Sequence, residues 1–351
     1  MYKPNYQITD SLVNKISKIE NVRTQIDSSY ILPEREIEMH HRATVEATHS
    51  STSIEGNPLN IKQVQKALSD KNPVTRHRYA EMEVRNYKKA IDFIDERKIT
   101  GKKISLKDIL TIHKIITDGL LEPEKTGTLR QNHVYIENQN GVKIYDGPNA
   151  KDLTHELNEF LEWLNIESYN IHPVIAAAIV HFHFVSIHPM ADGNGRTTRI
   201  LTSLYLGLRN YDFRGSLVLD SYYSTNKPDY YAALHGVQGE NYLSASKANL
   251  DPWIDYFTDG FLASANVLAA EVTLLSSMAK GLRIKQKISR DEADLLSYIQ
   301  QFSSITLSEA ERVLINTSRR TVQRKLKKLV DSDYVQTEGN GRDTKYTLIR
   351  Q

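Results

Sequence analysis

The stretch from Val174 to Ile187 constrains this chain most, because it is apolar on almost every side. A helix without a polar face is buried all round. It is also shorter than the roughly 18 uninterrupted apolar residues that would read as a membrane span, and no such run occurs elsewhere. A mainly α architecture built around this segment is the expected fold class. The composition agrees: 40% hydrophobic and 25% charged residues are ordinary for a globular protein, and 351 residues suggest two or three domains.

The surrounding pattern stays helical. Residues 1–32 are mixed and polar. Pro33 then opens a segment free of Gly and Pro until Gly56-Asn57-Pro58, with Glu34, Glu36 and Glu38 at its positive end; this reads as one helix over 33–55. Further helices are expected over 78–96, 106–119, 229–237 and 251–280. Leu153, Leu157, Phe160, Leu161 and Leu164 share a face of another, and Ile200, Leu201, Leu204 and Leu208 mark the inward side of one over 196–208. Residues 126–148 change character. The β-formers Thr128, Val134, Tyr135, Ile136, Val142, Ile144 and Tyr145 flank Glu137-Asn138-Gln139-Asn140-Gly141, which predicts a β-hairpin flap.

Composition shifts again near Gly281, where Arg283, Lys285, Lys287 and Arg290 stand without an acid and suggest a linker. Beyond residue 290 the pattern is helix, helix, helix, hairpin. Its third helix, within 317–328, carries Arg319, Arg320, Arg324, Lys325, Lys327 and Lys328 and no acid, and the hairpin adds Arg342 and Lys345. This unit resembles a winged helix-turn-helix, which implies DNA or a protein as partner for 317–346. The whole-chain charge of only +2 argues against nucleic-acid binding over the entire surface. There is no cysteine, so disulfides, Cys-ligated zinc and thiol catalysis are excluded. Met1-Tyr2-Lys3-Pro4-Asn5 lacks a signal-peptide layout, and a cytoplasmic location without membrane contact is expected.

The chemistry concentrates in the loop after the apolar helix, His188-Pro189-Met190-Ala191-Asp192-Gly193-Asn194-Gly195-Arg196-Thr197-Thr198-Arg199. Its end opens the next helix, where free amides and the dipole attract an anion. Gly193 and Gly195 admit a phosphate close to the backbone. Arg196 and Arg199, three apart, offer two guanidinium forks on one face, which suits a polyphosphate. Asp192 is a hard oxygen ligand for the Mg²⁺ that accompanies polyphosphates, and His188 is a base at neutral pH. The Walker and dinucleotide patterns do not fit. Base-assisted transfer of part of a nucleotide is the chemistry these residues suit.

The stretch resembles the Fic family signature, His-Pro-Phe-x-Asp/Glu-Gly-Asn-Gly-Arg-x-x-Arg, departing from it only at Met190. The resemblance implies a Fic-type helical core that moves AMP from ATP to a Ser, Thr or Tyr hydroxyl of a target protein. His188 would take the hydroxyl proton, Asp192 would hold Mg²⁺, and Gly193, Asn194 and Gly195 would form an anion hole. Arg196 and Arg199 would grip the remaining phosphates, with Thr197 and Thr198 completing the ATP-binding run. The hairpin at 132–145 would dock the target by strand addition. Tyr231, in Lys227-Pro228-Asp229-Tyr230-Tyr231, resembles one of a tyrosine pair near the nucleotide. Ser51-Thr52-Ser53-Ile54-Glu55-Gly56 resembles the family's inhibitory motif, so Glu55 is expected to pair with Arg199, steadied by Ser51, and to keep the resting enzyme slow. The expected domains are an N-terminal helical region over 1–100 with the inhibitory helix at about 33–57, a catalytic core over 101–280 and a winged unit over 281–351. A homo-oligomer through core helices is also compatible with the resemblance. Other readings are a winged-helix regulator whose core senses a nucleotide, transfer of another phosphate-containing group such as UMP or phosphocholine, and removal of AMP. His181 and His183 are expected to be packed core histidines, and His40 and His41 unremarkable helix residues.

Overall fold

The computed structural model describes residues 2–69, 77–101, 103–137, 143–281, 289–314, 317–332, 334–339 and 344–349. The helices are α1 (Asp10–Ser28), α2 (Pro33–Ile54), α3 (Ile61–Ser69), α4 (Arg78–Ile99), α5 (Leu106–Thr117), α6 (Leu153–Asn165), α7 (Pro173–Ile187) and α8 (Asn194–Leu208). After them come α9 (Asp220–Thr225), α10 (Lys227–Gln238), α11 (Tyr242–Ala245), α12 (Asp251–Gly281), α13 (Arg290–Phe302), α14 (Leu307–Val313) and α15 (Arg319–Asp331). Five short strands complete the chain: β1 (Tyr135–Glu137), β2 (Lys143–Asp146), β3 (Ile305–Thr306), β4 (Val335–Glu338) and β5 (Lys345–Leu348).

The apolar helix is the axis of the body. Every residue of α7 from Val174 to Ile187 is buried, and each large aliphatic or aromatic side chain among them contributes about 2 kcal/mol of gross burial. Helices α6, α8 and α12 pack against α7, and α4 and α5 cover the outer side of α8. Proline at the first position starts α2 and α7, where its missing N–H costs nothing. Gly56 stops α2: its φ is 96°, its N–H donates to Ser53 O, and Asn57 N–H donates to Thr52 O. These are the two bonds of a Schellman closure, with Glu55 as the capping residue.

The expected hairpin is present but short. β1 and β2 pair antiparallel, Tyr135 opposite Asp146 and Ile136 opposite Tyr145, with an irregularity between Ile136 and Glu137. The connecting turn at 138–142 lies outside the described residues. Helix α1 is an element that the polar character of 1–32 concealed. Its buried residues are Leu12, Ile19 and Ile26, one every seven positions, and Thr9 caps it by accepting from Leu12 N–H. So sparse a stripe suffices because α1 lies along α12, with Lys15 bridging Asp255 and Asp259.

After α12 a separate apolar cluster forms from Leu295, Leu296, Ile299, Ile305, Ala310, Leu314, Val322, Leu326, Leu329 and Val335. Its sheet runs β3-β5-β4, all antiparallel. The basic connection at 283–287 and the turn residue Arg342 lie outside the described residues. Among the described residues no helix is long and apolar enough to cross a membrane.

Candidate active site

The loop begins with a reversal. His188 caps α7 with φ 47° and ψ 58°, a left-handed conformation that is uncommon for any residue but glycine. Its ring Nδ1–H donates to Val185 O at 3.3 Å, which leaves Nε2 as the basic nitrogen. Burial drives its pKa down to about 4, so the half-buried imidazole is neutral near pH 7. Gly193, with φ 76°, caps α8, and a Cβ there would lie 3.1 Å from Thr117 Cγ2.

Asn194 holds this loop closed. Its side chain accepts from Met190 N–H at 3.0 Å and donates to Met190 O at 2.9 Å, and both residues are buried. Met190, the one departure from the family signature, is fully buried and fills an apolar position. Asp192 is largely exposed, its carboxylate accepting from the Gly193 N–H. Thr197 and Thr198 are fully buried, and the Thr198 hydroxyl donates to Asn194 O. Thr198 thus braces the first turn of α8 from within, whereas the buried Thr197 hydroxyl has no hydrogen-bond partner among the described residues.

Both arginines are held by carboxylates from the N-terminal helices. Arg199 donates from Nε to Ser51 Oγ at 2.6 Å, and from Nη2 to Ser51 O at 3.0 Å and to Glu55 Oε1 at 2.7 Å. Asp220 Oδ1 lies 3.3 Å from its Nε. Glu55 rests against the backbone of Gly195, where a Cβ would come within 2.5 Å of Oε1. A carboxylate thus sits at the N-terminus of α8, the place that favours anions. Burial alone would raise the Glu55 pKa, but the charge and hydrogen bond of Arg199 outweigh it and hold the group below its usual range. Burial raises Asp220 to about 6, with Arg199 opposing. Arg196 donates from Nη1 to Glu83 Oε1 at 2.5 Å and stands 3.9 Å from Asp192. Tyr231 is half-buried, close enough for the charges of Glu55 and Arg199 to act on its hydroxyl, which burial first of all raises to about 12.

Several residues that hold the site carry no local signal in the sequence. Arg130 fastens the hairpin base to the loop, donating from Nε to His188 O, from Nη1 to Asn132 O and from Nη2 to Pro148 O. Tyr145 donates to Ser186 O. His113 accepts from Gly127 N–H at Nδ1, so its Nε2–H donates to Asp192 O at 2.9 Å. That polar residue on the otherwise apolar face of Ile109, Ile112 and Ile116 is a signal that could have marked it. His181 and His183 are buried, as expected. Thr202 gives its own proton to Thr198 O, so His181 Nδ1–H donates to Thr202 and Nε2 accepts from Tyr230. His183 stacks on Tyr2. His40 departs from expectation: its Nδ1–H donates to Gly215 O and its Nε2 faces Asp95 at 3.6 Å.

Residues 103–206 match the model of the Fic/DOC family, and the chain carries a Fic domain there. Among curated relatives, a protein adenylyltransferase Fic of Drosophila virilis is 34% identical over 165 residues, covering 46% of this chain and 33% of that protein. The Culex quinquefasciatus protein of the same name is 31% identical over 215 residues, covering 59% of this chain and 42% of its own. The chain therefore spans only about a third to two fifths of the relatives' length. A Fic family protein of Desulfovibrio desulfuricans G20 has the same fold, with a TM-score of 0.64 at 21% identity, covering 100% of this chain and 99% of that one. A Fic-domain signalling protein of Bacteroides thetaiotaomicron VPI-5482 gives 0.63 at 19% identity, over 78% of this chain and 99% of its own.

Proposed function

We propose that this chain is a protein adenylyltransferase that moves AMP from ATP to a Ser, Thr or Tyr hydroxyl, with Glu55 as its resting brake. The observation that carries the reading is the neutral imidazole of His188 on one loop with an anion site at the α8 N-terminus and two arginine forks. The target hydroxyl gives its proton to His188 Nε2 while its oxygen bonds the α-phosphorus. The bond from that phosphorus to the β-bridging oxygen breaks, and pyrophosphate leaves with the electron pair. Charge then builds where the leading amides of α8, Arg196 and Arg199 stand. Gly193 and Gly195 let the phosphates approach the backbone, with Tyr231 beside the nucleotide.

The exposed carboxylate of Asp192 fits a Mg²⁺ ligand; among the described residues no cluster of three His, Asp or Glu would hold a metal unaided, so phosphates and water would complete its shell. Such an ion would neutralise phosphate charge. Target segments would add to the edge of the 132–145 hairpin, which Arg130 ties to His188. In the resting state the Glu55 carboxylate and the nucleotide compete for the α8 N-terminus and Arg199. The test is incubation of Glu55→Gly protein with ATP labelled at the α- or the γ-phosphate: α-label retained on protein with γ-label released supports AMP transfer, whereas retained γ-label means a kinase.

Of the domain plan of 1–100, 101–280 and 281–351, the last unit is supported by its separate apolar cluster, whereas the first two share one continuous core. That segment's order of helix, strand, two helices and two strands supports a winged helix-turn-helix. Among the described residues three of its six cations are paired, Arg319 with Glu311, Lys325 with Asp291 and Lys328 with Glu292. Arg320, Arg324 and Lys327 are exposed along one face of α15, which favours a second role in binding DNA. Three phosphate contacts predict a salt slope of about −3 in a titration with duplex DNA; a flat response would reject it.

A further inference from the structure

Resting on that reading, we propose that Glu83 is a second restraint on the nucleotide site, which holds Arg196 away from phosphate and links it to the brake helix through Asn57. The geometry is a chain of three side chains. Arg196 Nη1 donates to Glu83 Oε1 at 2.5 Å, and Asn57 Nδ2 donates to Glu83 Oε2 at 2.7 Å. Asn57 Nδ2 also donates to Ala80 O at 3.0 Å, in the first turn of α4. Little water screens the central pair, since the Arg196 and Glu83 side chains are only 9% and 15% exposed. Arg196 Nε is buried without a partner among the described residues, so this guanidinium has unused donors although a carboxylate already engages it.

Asn57 matters because of its place in the helix end. It is the residue whose N–H closes the Schellman motif onto Thr52 O, two positions after Glu55. Its side chain and backbone thus join the cap that aims Glu55 at Arg199 to the carboxylate that occupies Arg196. The two arginines of the loop are held by one connected device: Glu55 on Arg199 directly, and Glu83 on Arg196 with Asn57 as the tie. A cavity of about 560 Å³ lined by Glu55, Asn57, Glu83 and Arg196 lies against this joint, leaving room for it to open. A triphosphate competes with Glu83 for Arg196, because the guanidinium's unpartnered Nε is buried and its Nη1 is already given to Glu83. Once displaced, Glu83 no longer anchors Asn57, and the cap that positions Glu55 loosens.

The test combines ATP affinity by calorimetry with the rate of label transfer from α-labelled ATP, in six proteins: unaltered, the single variants Glu83→Gln, Asn57→Ala and Glu55→Gly, and Glu55→Gly combined with either Glu83→Gln or Asn57→Ala. Glu83→Gln should tighten ATP by about tenfold, the factor expected when a competing closed state is removed. The same change should lower KM for ATP in the Glu55→Gly background without raising kcat. Asn57→Ala should raise transfer several-fold in the otherwise unaltered protein and add nothing to Glu55→Gly, because the brake it steadies is already gone. Weaker ATP binding by Glu83→Gln, with Glu55→Gly binding normally, would overturn the proposal and make Glu83 a mere support for Arg196. Should Glu83→Gln fail to fold, the effect of Asn57→Ala alone, present or absent, decides. Failure of ATP to bind Glu55→Gly would instead defeat the transferase reading itself.

Discussion

Replacing Asn194 by alanine separates two roles that the family signature leaves merged. The resemblance puts Asn194 in an anion hole, whereas its amide is spent on both main-chain groups of Met190. Asn194 is 2% exposed and Met190 is fully buried, so water cannot readily replace either bond. Leaving one buried N–H and one buried C=O unpaired costs about 1–3 kcal/mol each. Some relaxation, and the better helix propensity of alanine, reduce the sum to about 2–4 kcal/mol. For a cooperative unit of this size each kcal/mol lowers Tm by about 2 °C, so the midpoint should fall by about 4–8 °C. Differential scanning calorimetry of Asn194→Ala against the unaltered protein measures this, and calorimetric ATP titration in the Glu55→Gly background gives the second axis. The reasoning is refuted by an unchanged Tm accompanied by a large loss of ATP affinity, since Asn194 would then be a phosphate ligand and not the brace of the loop.

Three further outcomes rest on the same geometry. With the His188 pKa held near 4 by burial, transfer by Glu55→Gly protein should show no acid limb centred near 6.5; a limb there would mean that the catalytic imidazole is solvated. His113→Leu should cost about 2–4 kcal/mol in denaturant unfolding, because Asp192 O and Gly127 N–H lose their partner, and should raise the Mg²⁺ requirement of transfer by releasing the Asp192 backbone. An unchanged Mg²⁺ profile would contradict that link. His181 and His183 have folded-state pKa values of about 3, lowered by burial, so the unfolded chain binds more protons below pH 6.5. Their stability contribution is intact above that value and is lost as pH falls toward 3, by about 4 kcal/mol for the pair between pH 7 and 5. His183→Phe, which keeps the stack on Tyr2, should remove half of that slope, and an undiminished slope would refute the assignment.

Legibility in the sequence followed locality. The buried axis α7, the start and stop of α2, and the loop from His188 to Arg199 are each written in consecutive residues, because a periodic face, a proline start and a Gly-Asn stop act over one or two turns. Helix α1 escaped because Leu12, Ile19 and Ile26 touch its partner only once per heptad; the polar remainder is a solvated face. The loop's supports were illegible for a different reason. Glu83 reaches Arg196 across 113 positions, Arg130 reaches His188 across 58, and His113 reaches Asp192 across 79. Apart from the polar break that His113 makes in an apolar helix face, nothing near those residues marks them, and only the packing of α4, α5 and the hairpin base around α8 brings them to their partners. Thr197 and Thr198 illustrate the converse: membership of a conspicuous run did not give them surface, since the inner face of α8 claims both.

The central claim is a base on His188 and a brake on Glu55 acting at one nucleotide site. Transfer of label from α-³²P-ATP to protein, with Mg²⁺ present, compares the unaltered chain, Glu55→Gly, and Glu55→Gly with His188→Ala. The account predicts faint labelling of the first, strong labelling of the second and none of the third. Equal labelling of the first two would contradict the brake, and labelling that survives His188→Ala would contradict the base.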